Sequence, residues 1–258
     1  MAERTYSFVI PAYNESSRIT SGLDQVLAYI AAHRLQAEVV VVNDGSRDNT
    51  AAIVREYAQR NPIVRLIENP GNRGKGYSVR NGVLHATGDI ILFTDADLSS
   101  PIKEAERLFA AIDAGADGAI GSRWLRPEMM TERQSGFRQL AGRVFNLLQR
   151  IILGLRFKDT QCGIKAFTRR AAQDIFPRQR IERWGFDPEI LFLARKFGYR
   201  VEEVAVEWAH DDRSKINPVV DGAKMFMELL RIRLNSITGK YAGRAPGSEP
   251  APQSTVAR

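Results

Sequence analysis

Asp95 and Asp97 close the run Ile90-Ile91-Leu92-Phe93-Thr94, two carboxylates spaced i, i+2 just past a stretch that reads as a buried strand. At that spacing both can turn toward one hard cation. Two more apolar runs end in acid-bearing turns. Phe8-Val9-Ile10 leads into Pro11-Ala12-Tyr13-Asn14-Glu15, and Val39-Val40-Val41-Val42 leads into Asn43-Asp44-Gly45-Ser46. In an open α/β sheet such turns gather at the carboxyl edge of the strands, where ligands bind. Three acid-bearing turns at one edge point to a divalent cation holding a phosphorylated ligand. Such a cation neutralises a diphosphate and so stabilises a departing nucleotide. Asp44 could accept hydrogen bonds from a base N–H or a ribose hydroxyl. The bland alternative for Asp44-Gly45-Ser46 is a β-to-α turn with Ser46 as its cap.

Asn69-Pro70-Gly71-Asn72-Arg73-Gly74-Lys75-Gly76 is glycine-rich, basic and opens a predicted helix, as a phosphate cradle would. It has neither the Walker spacing nor the dinucleotide fingerprint. His33, His85 and His210 are far apart, without the spacing of zinc ligands. The single Cys162 rules out an internal disulfide framework and is expected to pack as a small buried residue.

Residues 1–122 alternate between strands near 6–11, 38–42, 63–67, 89–94 and 117–121 and helices near 17–32, 49–60, 75–86 and 101–113. That order predicts a mostly parallel sheet with helices on both faces. Asp48-Asn49-Thr50 suits a helix start and Pro101 a first helical turn. From about 136 the texture changes. Gln139, Gly142, Arg143, Asn146, Gln149 and Arg150 fall on one helical face; Leu140, Val144, Leu147, Leu148, Ile151 and Leu155 fall on another. A basic face beside a broad apolar one suits a membrane interface, or packing on the sheet. A helix over 219–236 invites the same two readings. The tail 242–258 has too little apolar content to fold and is expected to be disordered.

The net charge of +7 is unevenly placed: from Arg123 to Arg183 there are 14 Lys and Arg against 5 Asp and Glu. A basic segment suits an anionic partner such as nucleic acid, anionic lipid or a phosphorylated substrate, or is simply a solvated face. Nucleic acid fits poorly, because the segment lacks interleaved aromatics and a helix-turn-helix signal. No apolar run reaches the 18 or so residues needed to span a bilayer. Met1 to Thr5 lead straight into a strand, so no signal peptide is expected.

Taken in order, the Pro11–Glu15 turn, the Asn43–Ser46 turn, the Gly71–Gly76 loop and Asp95-Ala96-Asp97 resemble the family 2 glycosyltransferases of the GT-A fold. Asn43 departs from the family, where Asp is frequent. Arg156-Phe157-Lys158-Asp159-Thr160-Gln161-Cys162-Gly163-Ile164-Lys165-Ala166-Phe167 looks like the dolichyl-phosphate β-glucosyltransferases. So do Glu182-Arg183-Trp184-Gly185-Phe186-Asp187-Pro188-Glu189 and Leu234-Asn235-Ser236-Ile237-Thr238-Gly239. The resemblance covers roughly residues 5–241.

It implies a single GT-A domain over 1–241, a Rossmann-like α/β unit with amphipathic interface helices. Residues 1–122 would form the nucleotide-sugar half and 123–241 the acceptor half. The implied reaction is inverting transfer of glucose from UDP-glucose to a polyprenyl (dolichyl or undecaprenyl) phosphate; GDP-mannose or a UDP-amino sugar are alternative donors. Pro11, Tyr13, Glu15 and Asp44 would hold uridine. Lys75, Asp95, Ser214 and Lys215 would attend the diphosphate. Asp95 and Asp97 would hold Mg²⁺ or Mn²⁺; Ser99 stands where related mannosyltransferases place a helping Gln. Arg123 and Arg143 are the candidates to guide the acceptor phosphate, since Arg suits bidentate phosphate contact. Asp159 is the first candidate for a base or an orienting carboxylate, and Asp187 the second. Eukaryotic relatives usually carry an amino-terminal membrane anchor. Attachment here is expected to be peripheral, on the cytoplasmic face of a membrane.

Overall fold

The computed structural model describes residues 4–126, 128, 136–208, 218–242 and 255–256. Five strands follow the alternation the sequence predicts: β1 (Thr5–Ala12), β2 (Gln36–Asn43), β3 (Val64–Glu68), β4 (Ile90–Phe93) and β5 (Gly118–Ser122). Between them run α1 (Ile19–Ala32), α2 (Thr50–Arg60), α3 (Lys75–His85) and α4 (Ala105–Asp113). A short 3-10 turn over Ile102–Glu104 precedes α4, with Pro101 at its amino end. α2 begins where Asp48 Oδ1 accepts the Thr50 N–H, at 3.0 Å.

The second half supplies α5 (Gly136–Leu153), β6 (Lys165–Thr168), α6 (Arg169–Ile175), α7 (Phe186–Lys196), β7 (Val201–Ala205) and α8 (Pro218–Ile237). A two-residue strand, β8 (Thr255–Val256), pairs antiparallel with β3. The sheet order is β7-β5-β6-β4-β1-β2-β3-β8. β6 is antiparallel to both β4 and β5, so those two keep a common direction. Its register sets Lys165 opposite Phe93 on one side and Ile120 on the other. Ala12 pairs with Asn43 across β1 and β2. The turns after β1, β2, β4 and β5 therefore share one edge.

Central parallel strands are covered on both faces, which is why their apolar runs are unbroken. Phe8, Ile10, Val39, Val41, Ile90 and Leu92 pack with α1, α2 and α4. Val9, Val40, Val42, Ile91 and Phe93 pack with α3, α7 and α8.

α5 departs from the simple amphipathic picture. Gln149, assigned to the solvated face, is buried, and its Oε1 accepts the Thr160 hydroxyl at 2.7 Å. Leu148 packs against the core, while Leu147 and Ile151 are exposed. The described part of the apolar arc is therefore split between core and solvent, and α5 also packs on α8. Among the described residues no helix is long and apolar enough to cross a membrane.

Candidate active site

The turn after β4 carries Asp95 and Asp97, both partly exposed. Lys75, the first residue of α3, pairs its Nζ with Asp95 Oδ1. Burial works against the Lys75 charge, but Asp95, Asp187 and Asp97 outweigh it and hold the ammonium above its ordinary range. Asp97 Oδ1 accepts the Ser99 N–H at 3.0 Å, and its Oδ2 lies 3.4 Å from Arg18 Nη1. Arg18 also forks onto Glu15, Nε to Oε2 at 2.6 Å and Nη2 to Oε1 at 2.7 Å. Glu15 is thus engaged with Arg18, and burial leads the rise of its carboxyl above the usual range. Leu98, next to Asp97, has φ +48°, a left-handed backbone that a bulky residue rarely adopts.

Gly163 lies directly over the Asp95 carboxylate, so a Cβ there would collide with Oδ2. Gly74 has φ +107°, and a Cβ on it would stand 2.6 Å from the Glu182 carbonyl. These close approaches join the β4 turn to the loop before β6, and the start of α3 to the 182–185 loop. Trp184 extends that loop outward, its ring 5.6 Å from Lys75 Nζ.

Asp44 is buried and accepts three hydrogen bonds. Asn69 Nδ2 and the Arg73 N–H reach Oδ1 at 2.8 and 2.9 Å, and the Gly74 N–H reaches Oδ2 at 2.7 Å. The carboxylate fixes the glycine-rich loop, leaving one Oδ2 lone pair for a ligand. Ser46 does not cap its own turn; its Oγ accepts the Asn14 N–H at 2.9 Å, tying the β1 and β2 turns together. Tyr13 projects, exposed, from the end of β1, beyond the half-buried Pro11.

Arg123 and Asp159 meet just past β5. Arg123 Nε and Nη2 donate to Asp159 Oδ2 and Oδ1 at 2.6 and 2.8 Å. The N–H groups of Arg123 and Gln161 fill the remaining positions, at 3.0 and 3.1 Å. A carboxylate has about four acceptor sites. Asp159 therefore has none left for a proton, which sets aside its reading as a base and leaves that of an orienting carboxylate. Burial would raise its carboxyl, but the Arg123 guanidinium holds it below the usual range. Arg123 in turn stacks 5.3 Å from the Trp208 ring centroid.

Asp187, buried at the start of α7, accepts from the fully buried Lys165 Nζ, which also donates to the Cys162 carbonyl at 2.6 Å. Burial raises the Asp187 carboxyl, with Lys165 and Lys75 offsetting only part of the rise. The loop before β6 carries both Asp159, bound to Arg123, and Gly163, set against Asp95, so it ties the two halves of the chain together at this edge. Ser214 and Lys215 lie outside the described residues. Arg143 is on α5, but its side chain also lies outside them.

Sequence reasoning singled out neither Arg18, Lys165, Gly163 nor Trp184 by role. Lys165 had a signal: a lone lysine among Ile164, Ala166 and Phe167 must find a buried acid. Arg18 had one for Glu15, three residues before it, but none for Asp97, which comes from a separate turn.

Among the described residues, no group of three or more His, Cys, Asp or Glu side chains is placed to hold a metal. The two edge carboxylates still fit Mg²⁺ or Mn²⁺ chemically. They are hard oxygen donors, partly open to solvent, and such ions commonly take one or two carboxylates and complete their shell from phosphate and water.

The Glycosyl transferase family 2 model matches residues 7–176. Dolichyl-phosphate β-glucosyltransferase of Trichomonas vaginalis is 39% identical, over 95% of this chain and 75% of that protein. Those of Saccharomyces cerevisiae and Homo sapiens are 37% and 35% identical, each over 91% of this chain and 76% of the relative. Among solved structures, glucosyl-3-phosphoglycerate synthase of Mycobacterium tuberculosis, in complex with Mn²⁺, UDP and phosphoglyceric acid, superposes with a TM-score of 0.68. It is 20% identical and covers 95% of this chain and 81% of its own, which establishes a shared GT-A fold. The chain is a glycosyltransferase and belongs to glycosyl transferase family 2.

Proposed function

We propose that the protein transfers glucose, with inversion, from UDP-glucose to a polyprenyl phosphate, giving a polyprenyl β-glucosyl phosphate. The observation that carries this reading is the arrangement of charge at the sheet edge. Asp95 and Asp97 with Lys75 form a diphosphate-binding side, and Arg123, oriented by Asp159, forms a cationic side joined to it by the loop that carries Asp159 and Gly163. The names of the relatives agree with this donor and acceptor class.

Bound at Asp95 and Asp97, Mg²⁺ or Mn²⁺ would neutralise charge that develops on the departing diphosphate. Lys75 adds a fixed positive charge beside the same oxygens. The Asp44-braced loop presents its backbone to the nucleotide, and Pro11 and Tyr13 flank it. The acceptor phosphate is already anionic, so it needs aiming rather than deprotonation. Its oxygen bonds to the anomeric carbon as the bond to the UDP oxygen breaks on the opposite face, which inverts the configuration. Arg123 keeps Nη1 for that phosphate while Asp159 holds the guanidinium plane. Arg143, Ser214 and Lys215 are proposed to add phosphate contacts.

Residues 1–241 act as one catalytic unit in this reading, and attachment is peripheral, on the cytoplasmic face of a membrane. A donor panel assayed against a polyprenyl phosphate, with product extracted into organic solvent, tests it. UDP-glucose is expected to lead; preference for GDP-mannose or a UDP-amino sugar would refute the donor assignment.

A further inference from the structure

A cavity of about 280 Å³ lies between α3, the 179–182 segment and α8, lined by Arg80, Gln179, Arg180, Glu182, Arg231, Asn235 and Lys240. Four cations face one carboxylate, and that carboxylate, Glu182, is already paired with Arg73 at 2.7 Å. Arg180 donates Nε and Nη2 to the Lys240 carbonyl at 3.0 and 2.8 Å, which leaves its Nη1 free of that contact. Arg80 Nη1 donates to the Gln179 carbonyl at 3.0 Å. Among the described residues, no hydrogen bond or ion pair holds the charged ends of Arg231 and Lys240; the Arg231 charge acts at longer range on Glu189 and Glu228. A polar cavity with this excess of donors suits a phosphate.

Its position narrows the source. Met227, Leu230, Leu234 and Ile237 are 62, 41, 56 and 73% exposed. Their i, i+3, i+7, i+10 spacing makes one stripe along α8. Arg231 stands four residues after Met227 and three before Leu234, so it borders the stripe, and Asn235 lies one turn further on along the cavity side. α5 packs beside α8 and adds the exposed Leu147 and Ile151. An anionic cavity ligand whose other end is apolar would satisfy both features.

We propose that this cavity seats the phosphate headgroup of an anionic membrane phospholipid while the α8 stripe lies among the acyl chains. The cavity adjoins the 182–185 loop but is lined by none of Asp95, Asp97, Lys75 and Arg123, and the proposal builds on the reading of a membrane-bound acceptor. Bound there, a lipid turns α8 and the exposed Trp184 toward the bilayer.

The test is sedimentation of the full chain with phosphatidylcholine vesicles, with and without phosphatidylglycerol. Binding is expected to rise with phosphatidylglycerol. Arg231→Gln combined with Lys240→Gln should lower vesicle partitioning about 25-fold, at about fivefold for each lost surface charge. Arg60→Gln, on α2 across the sheet, should leave it unchanged. Both cavity side chains are exposed, and Lys240 meets Arg180 only through its backbone, so a thermal melt should find the double variant folded; Arg231→Gln alone gives the same reading at about fivefold. Wild-type partitioning by the double variant would overturn the proposal. So would stabilisation by inorganic phosphate with no preference for phosphatidylglycerol, the mark of a soluble-phosphate site. Transfer to a detergent-dispersed polyprenyl phosphate, run in parallel, should survive the double substitution. Its absence in the wild type would contradict the proposed function without altering the vesicle result.

Discussion

Arg123 and Asp159 are joined by two parallel hydrogen bonds of 2.6 and 2.8 Å, and the acid is only 2% exposed. The pair links the end of β5 to the loop before β6, and Glu203 on β7 holds that loop through the Lys158 and Asp159 N–H groups at 2.9 and 2.7 Å.

Removing one partner of a buried pair leaves an uncompensated charge, a loss of about 3–5 kcal/mol. Asp159→Asn is therefore expected to lower unfolding stability by that order and to slow transfer by freeing Arg123. Urea unfolding checks the first effect. An unchanged midpoint would show that the pair is not structural.

Asp44→Ala removes acceptors from the Arg73 and Gly74 N–H groups and from Asn69. A buried donor left unpaired costs about 1–3 kcal/mol. UDP affinity is expected to fall roughly tenfold or more as the loop loosens, with a lower melting temperature. Calorimetry that finds unchanged affinity would confine Asp44 to shaping its turn.

Gly163→Ala places a methyl group against Asp95. Overpacking of this kind costs about 1–3 kcal/mol. The expected outcome is a folded protein whose UDP affinity no longer improves with Mn²⁺. A variant that retains the full Mn²⁺ response would show that Asp95 has another position available.

Glu189 gives a pH test. It is fully buried, and burial lifts its carboxyl to about 7 despite hydrogen bonds from Tyr241 and the Arg180 and Ile181 N–H groups. The folded pKa exceeds the unfolded value of 4.5, so between the two the folded state binds more protons. Stability is then greatest below the unfolded value and declines as pH rises through about 7, by an amount on the order of 3 kcal/mol. Glu189→Gln is expected to flatten that slope in urea titrations from about pH 5 to pH 8. A wild-type slope of the opposite sign would contradict the assignment.

The first half of the fold was legible because each strand there is a continuous apolar run stopped by a polar turn. Phe8–Ile10, Val39–Val42 and Ile90–Phe93 could be read directly. β6 and β7 were not, because Lys165 interrupts the apolar signal of one and Glu202 and Glu203 lighten the other. The edge acids Asp95 and Asp97 were legible from local spacing. Pairings such as Arg18 with Asp97, or Asp159 with Arg123, depend on turns brought together only by the sheet. Gln149 shows the converse: its helical position suggested solvent, but the partner that buries it, Thr160, comes from the next loop.

The central claim is transfer of glucose to a lipid phosphate supported by Asp95 and Asp97. Its most direct test is the initial rate at which label from UDP-glucose enters the organic phase with polyprenyl phosphate and Mn²⁺, for the wild type and Asp97→Ala. The account predicts transfer by the wild type, abolished by EDTA, and no detectable transfer by a folded Asp97→Ala protein. Near-normal turnover by Asp97→Ala in the presence of EDTA would contradict it.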